Sequence, residues 1–347
     1  MIGSPNGGNF SGAVSYQAAN AAGALTFKFQ SDGDANLAAG WDAFISSVGT
    51  STININWNIV GTSKFFDIDY SIDGGTNWTQ LASTANSSDF RAVFDIDVNP
   101  VNGDVYAATN TSGLQRSQDG GLTWSKVLGS NVGTGDNRIY KTEITETGTV
   151  WASVRSNGIY KSFTGDANSF TKLNSTGNGF SPNPQSRTEL AVSKSDTNIC
   201  YVLSLASGTP RIFRTNNGGS SWISLNLPND ADFGIPSNDF TRSQSWYDYT
   251  IAVNPADTNH IIVGGVDLFE SRDGGNSWNQ LTHWYGGFGY QYVHADQHNI
   301  VFRDDTSNVA IFSNDGGIAY SPNSKSTPTP VIVTRIKDYN TTQFYGC

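Results

Sequence analysis

Charged side chains are scarce in this sequence. Asp, Glu, Lys and Arg make up 14% of its 347 residues, against about 25% in a typical soluble domain, so neutral polar groups must cover most of the surface. Bases are the scarcer sign, 20 Lys and Arg against 30 Asp and Glu, for a net charge of −10. That shortage excludes a nucleic-acid partner, because phosphate contacts need clustered cations. With two cysteines, Cys200 inside an apolar run and Cys347 at the last position, a disulfide framework is excluded and Cys200 is expected to be a buried free thiol. No apolar run approaches the ~18 residues that cross a bilayer as a helix. Met1-Ile-Gly-Ser-Pro5 lacks the basic and apolar regions of a signal peptide, so any export signal is expected to lie outside these residues.

Glycine and aromatics are plentiful: 37 Gly, 9 Trp, 14 Tyr and 19 Phe. With many Ser, Thr and Asn, this is the composition of short strands joined by tight turns. It also suits an exported protein. A motif of the form Ser/Thr-x-Asp-Gly-Gly-x-x-Trp recurs along the chain. It reads Ser71-Ile-Asp73-Gly-Gly-Thr-Asn-Trp78, Ser117-Gln-Asp119-Gly-Gly-Leu-Thr-Trp124 and Ser271-Arg-Asp273-Gly-Gly-Asn-Ser-Trp278. Thr215-Asn-Asn217-Gly-Gly-Ser-Ser-Trp222 and Ser313-Asn-Asp315-Gly-Gly-Ile-Ala-Tyr320 are variants, and Ser162-Phe-Thr-Gly-Asp166 begins a degenerate copy. The spacing from Asp73 to Asp315 averages about 48 residues, the period of a four-stranded β-propeller blade. The longest interval, Asn217 to Asp273, predicts an insertion. Each unit begins with an apolar alternating run, such as Phe94-Asp-Ile-Asp-Val98, followed by a turn and a second strand, such as Cys200-Tyr-Val-Leu203. The third strand leads into the Asp-Gly-Gly turn, and the fourth starts at the Trp.

These motifs resemble the Asp-box (BNR) repeats of sialidases, of two-propeller glycoside hydrolases and of sortilin-like receptors, over roughly residues 51–325. The resemblance implies a structural role for Asp73, Asp119, Asn217, Asp273 and Asp315, whose side chains would cap backbone N–H groups in tight turns. It does not imply a particular chemistry. Near the start, Gly23-Ala-Leu-Thr-Phe-Lys-Phe-Gln-Ser-Asp32 followed by Gly40-Trp-Asp-Ala-Phe-Ile45 looks like the closing strands of a CUB-like β-sandwich. Asp32, Asp34 and Asn36 there have Ca²⁺-loop spacing, with a polar turn as the plainer reading.

The expectation is therefore an all-β protein. Residues 1–48 would be the C-terminal part of a CUB-like sandwich, and residues 49–347 an Asp-box propeller of about six to eight four-stranded blades with its last blade truncated.

In such a fold, the connections into the innermost strands surround the channel mouth. They hold Arg91, Arg138 and Arg187, which resemble in placing the arginine cluster of sialidases, although the Arg-Ile-Pro segment and a Tyr/Glu nucleophile pair are missing. They also hold Trp246, Tyr247 and Tyr249, which with Trp284, Tyr285, Tyr290 and Tyr292 form the richest aromatic stretch, whose faces suit sugar stacking or inter-blade packing. His294, Asp296 and His298 alternate, so on an extended strand all three would share one face. That pattern suits a divalent metal such as Ca²⁺ or Zn²⁺, acid/base chemistry or a structural polar cluster. Glycosidases need two carboxylates about 5 to 9.5 Å apart; Glu189, Asp248 and Asp296 are the catalytic candidates, with Asp136 as a further carboxylate. No pair stands out from sequence. The leading expectation is a non-catalytic binding or adhesion module of a secreted or cell-surface bacterial protein, taking extracellular glycan or a surface protein at the channel mouth. The rival is a propeller glycoside hydrolase.

Overall fold

The computed structural model describes residues 45–48, 51–54, 68–71, 77, 79–85, 87–180, 186–303, 308–327 and 329–335. The expected CUB-like segment up to residue 44 lies outside them, as do the Asp73 box turn and Cys347.

Five consecutive antiparallel sheets follow one another along the chain. Sheet I runs through strands Val93–Val98, Val105–Thr109, Leu114–Ser117 and Ser125–Ser130, with Gly133–Thr134 added in parallel. Sheet II comprises Ile139–Ile144, Val150–Val154, Gly158–Ser162 and Thr171–Lys172. Sheet III comprises Arg187–Val192, Cys200–Ala206, Thr209–Thr215 and Ile223–Ser224. Sheet IV comprises Thr250–Asn254, Asp257–Gly264, Leu268–Ser271 and Asn279–Gln280. Sheet V comprises Gln297–Phe302, Ala310–Asn314, Gly317–Ser321 and Val333–Thr334. Ahead of them Asp69–Tyr70 pairs with Thr79–Gln80, and Ile45–Val48 with Ser51–Asn54. Among the described residues, the one helical element is the 3₁₀ turn Ser88–Phe90.

The first strand of each sheet lies against the first strand of the next, which makes the sheets the blades of a β-propeller. The core sits between the blades. In the second strand of sheet III, Cys200 and Val202 pack towards sheet II with Trp151 and Ile159, while Tyr201 and Leu203 pack towards sheet IV with Ile261 and Phe269. Both faces are covered, so these strands read as continuous apolar runs. The Cys200 thiol is free and buried, as expected, and burial pushes its pKa well above the ordinary value.

Three of the repeated motifs form the turn from third to fourth strand. In sheet I the Ser117 hydroxyl accepts the Gly121 N–H at 2.7 Å, and Asp119 accepts the Thr123 N–H at 2.8 Å and its hydroxyl at 2.6 Å. Thr215 and Asn217 repeat the two backbone bonds in sheet III, and Ser271 and Asp273 repeat them in sheet IV. The second glycine of each turn, Gly121, Gly219 and Gly275, has φ near +92°, and an added Cβ would come within 2.5 to 2.6 Å of Leu81, Leu173 and Leu225 respectively. Each leucine belongs to the preceding unit, so the turn both closes its own blade and fits against the one before. The long Asn217–Asp273 interval is resolved as the connection 225–249 between sheets III and IV.

Asp315 is placed differently. Its turn joins the second and third strands of sheet V, with Asn314 paired to Gly317, and so belongs to the other hairpin of the blade. The local Asn-Asp-Gly-Gly sequence is similar, but strand pairing assigns it a different place. Asp315 is therefore corrected from a box position to the site below.

Along the inner ring, carboxylates reach from one blade to backbone donors of the next. Asp95 accepts the Thr142 N–H at 2.8 Å, Asp97 the Ile144 N–H at 2.7 Å and Glu143 the Val192 N–H at 2.6 Å. The edge N–H groups of these innermost strands are thereby satisfied by side chains. Burial, with Asp95 nearby, pushes Asp97 up to about 7, and burial pushes Glu143 up to about 7.

Candidate functional site

The connection 225–249 and the segment leading into sheet V meet over the Asp315 hairpin. Arg187, buried in the first strand of sheet III, fixes the former. Its Nη1 donates to the carbonyls of Trp246 and Tyr247 at 3.0 and 2.8 Å, and its Nη2 to that of Tyr249 at 3.3 Å. The same guanidinium is paired with Glu189 at 3.1 Å. Of the expected site residues, Arg187 and Glu189 are thus committed to the scaffold, where they position Trp246 and Tyr247. Trp246 is left 62% exposed.

The Tyr247 hydroxyl donates to Asp315 Oδ1 at 2.8 Å, and its ring meets the His298 ring edge-on at 4.9 Å. His298 Nε2 lies 2.6 Å from the same Asp315 oxygen. His294 lies on the hairpin backbone: a Cβ at Gly316 would fall 2.5 Å from His294 Cβ and Cγ, so only glycine fits there. Asp296 has φ +66°, in the left-handed region, and the strand begins only at Gln297. His294, Asp296 and His298 therefore do not share an extended strand face as their alternation suggested. The chain turns at Asp296 instead, and the charges of both imidazoles lower its carboxyl against the effect of burial.

Asp248 is fully buried, and neither of its carboxyl oxygens receives an N–H or O–H from a neutral donor. Burial, then the Asp296 charge, holds Asp248 well above the carboxylate range despite Arg187. Asp296 is also raised, by burial and Asp315, while His298, His294 and the hydrogen bond with Asp248 oppose the rise.

The remaining expected residues lie apart from these contacts. Arg91 is exposed beside the 3₁₀ turn. Arg138 is half-buried, with its backbone N–H on Asp136 and its Nε without a hydrogen-bond partner.

A second cluster, which sequence reasoning missed, clasps the connections 225–249 and 281–296 together. Arg242 pairs with Asp230 at 2.9 Å, with Asp232 at 2.5 Å and with Asp267 at 3.3 Å. Arg242 and Ser243 both have positive φ, held by Asp239 accepting from the Thr241 and Ser243 N–H groups. Asp230, Asp267 and His283 are close enough to share a metal ion. However, Arg242 already pairs with both carboxylates, and His283 Nδ1 accepts the Tyr285 and Gly287 N–H groups. That arrangement puts the proton of neutral imidazole on Nε2, so the donor set does not fit a metal. No local signal marks this clasp, whose members are spread from residue 230 to 283.

No family model matches the chain, and no curated protein matches it. Solved structures do. A GH74 enzyme of Niastella koreensis matches at 20% identity and TM-score 0.54, covering 84% of this chain and 44% of that one. The GH74 xyloglucanase of Xanthomonas campestris matches at 16% and 0.52, covering 83% and 44%. A YCF48 bound to a D1 peptide matches at 15% and 0.50, covering 82% and 80%. The chain spans less than half the length of the GH74 enzymes it matches. At these identities the likeness is one of fold, and it agrees with the propeller.

Proposed function

We propose that this propeller is a binding module of an exported protein, recognising extracellular glycan at the mouth formed by Trp246, Tyr247 and the Asp296–His298 segment. The observation that carries the reading is a largely exposed indole on a backbone fixed by buried Arg187, next to a tyrosine fixed by Asp315. A rigid aromatic face offers contact area at little entropic cost. The paired carboxyls favour binding over cleavage. A glycosidase needs both of its carboxyls to reach the substrate, whereas Asp248 is sealed from solvent. We also read the third-to-fourth-strand turns as Asp-box repeats and the protein as secreted or displayed on the cell surface. A sortilin-like or adhesin context and a CUB-like segment ahead of the propeller belong to the same reading.

A glycoside hydrolase is the second reading. It is favoured by one observation, the raised and only half-buried carboxyl of Asp296, the kind of group that serves as a general acid.

The test is affinity for soluble polysaccharides. Trp246→Ala is expected to weaken binding about tenfold, the loss of roughly 1.4 kcal/mol of ring contact, and Asp296→Asn to leave it nearly unchanged. Binding insensitive to Trp246 would remove the mouth from the account.

A further inference from the structure

The clasp around Arg242 supports a set of exposed rings. Trp284 is 42% exposed, Tyr285 52% and Phe288 60%. The polar atoms of the first two are tied to one carboxylate: the Tyr285 hydroxyl lies 2.8 Å from Asp232 Oδ1, and Trp284 Nε1 lies 3.4 Å from Asp232 Oδ2. Asp232 is in turn held by Arg242. Burial works to raise the Asp232 pKa, but hydrogen bonds from Tyr285, Arg242 and Trp284 outweigh it and hold the carboxylate below its ordinary range. Beneath the rings lies the buried His283, with its ring centroid 4.1 Å from Tyr285 and 5.2 Å from Phe288. Trp284 and Tyr285 stand nearly perpendicular, 84° at 4.7 Å. Phe288 has φ +57° between glycines that also have positive φ, Gly286 and Gly289. A left-handed phenylalanine is strained, and one this exposed recovers little by burial.

We infer that the loop 283–288 is a second sugar-stacking platform, in which the exposed face of Trp284 takes one pyranose unit of an uncharged polysaccharide, with Tyr285 standing nearly perpendicular beside it. With the indole N–H and the phenol already bonded, the rings offer faces, which match the C–H face of a sugar ring. Asp232, with 16% of its side chain accessible, remains at the rim as an acceptor for a sugar hydroxyl. Arg242 is spent on three carboxylates and the chain carries −10 overall, so a polyanion finds no free cation here. The inference rests on the reading of this protein as a glycan binder, but on different residues from the mouth.

The experiment compares the wild type, Trp284→Ala, Trp284→Phe and Trp246→Ala by affinity electrophoresis in hydroxyethyl cellulose, xyloglucan and polygalacturonate. Trp284→Ala is expected to weaken binding to a neutral polymer about tenfold and Trp284→Phe two- to threefold, while polygalacturonate retards none of them. Ligand quenching of indole fluorescence is expected to shrink in Trp284→Phe, which keeps a ring and guards against a folding artefact. If Trp246→Ala loses binding while Trp284→Ala matches the wild type, the platform is wrong and the mouth stands. Tighter binding to polygalacturonate than to the neutral polymers overturns the assigned ligand class. If the wild type binds no polysaccharide, both readings fall.

Discussion

His298 Nε2 lies 2.6 Å from Asp315 Oδ1, joining the first strand of sheet V to the hairpin between its second and third strands. Tyr247 donates to the same oxygen from the preceding connection, so one carboxylate sets the positions of three segments at the mouth. Asp315→Ala would leave a buried imidazole and a phenol without their acceptor, at a cost of about 1 to 3 kcal/mol. It should also weaken glycan binding by releasing Tyr247. Asp119→Ala, in the exposed box turn of sheet I, is expected to cost less stability than Asp315→Ala and to leave affinity unchanged. Urea titrations and binding isotherms on both variants check this; equal effects on binding would contradict the separation of the two turns.

The box glycines differ in a measurable way. At Gly275 an added Cβ meets Leu225 at 2.5 Å with φ +91°, whereas at Gly274 the nearest atom is the mobile end of Arg214, with φ +74°. Gly275→Ala combines backbone strain with a core clash and should destabilise by about 2 kcal/mol or more, and Gly274→Ala by about 1 kcal/mol. Thermal melts of the two variants give the comparison, and the reverse order would show that the contact with the preceding blade is slack.

How much of this was legible in sequence follows from the range of the interactions. The turns at Asp119, Asn217 and Asp273 rest on contacts within four residues, so their motif reveals them. Asp315 carries almost the same local motif, yet its turn is fixed by which strands pair. The alternation of His294, Asp296 and His298 misled because it assumes extended backbone, which Asp296 leaves. Trp246 and Tyr247 entered the expectation through their position before an innermost strand, which is where the connection 225–249 ends. Arg242 with Asp230, Asp232 and Asp267 was not, because a long connection brings those residues together without a periodic signal.

The inner-ring carboxylates predict a pH dependence. Asp97 titrates near 7 in the folded protein and near 3.8 as a free group, so between those values the folded state holds a proton that the unfolded state has released. Its contribution therefore falls as pH rises from about 4 to about 7. Asp97→Asn keeps an acceptor for the Ile144 N–H without the charge, and its stability relative to wild type is expected to improve steadily over that interval. Urea midpoints at pH 4.5, 6 and 8 measure the trend; a constant difference would show that Asp97 is not perturbed.

Asp248→Asn puts a neutral side chain of the same shape in place of a buried carboxyl whose pKa burial and the Asp296 charge raise well above its ordinary value. Its melting temperature at pH 8 is expected to match or exceed that of the wild type, because no charge need be buried opposite Asp296. Loss of several kcal/mol would instead mean that Asp248 is ionised and balanced by Arg187.

The central claim is binding without cleavage at the mouth. Its most direct measurement follows affinity and new reducing ends together, on one panel of neutral polysaccharides, for the wild type, Trp246→Ala and Asp296→Asn. The account predicts retention that depends on Trp246, is preserved in Asp296→Asn, and comes with no reducing ends above the protein-free control. Reducing ends released by the wild type and abolished by Asp296→Asn would contradict it and make the protein a hydrolase.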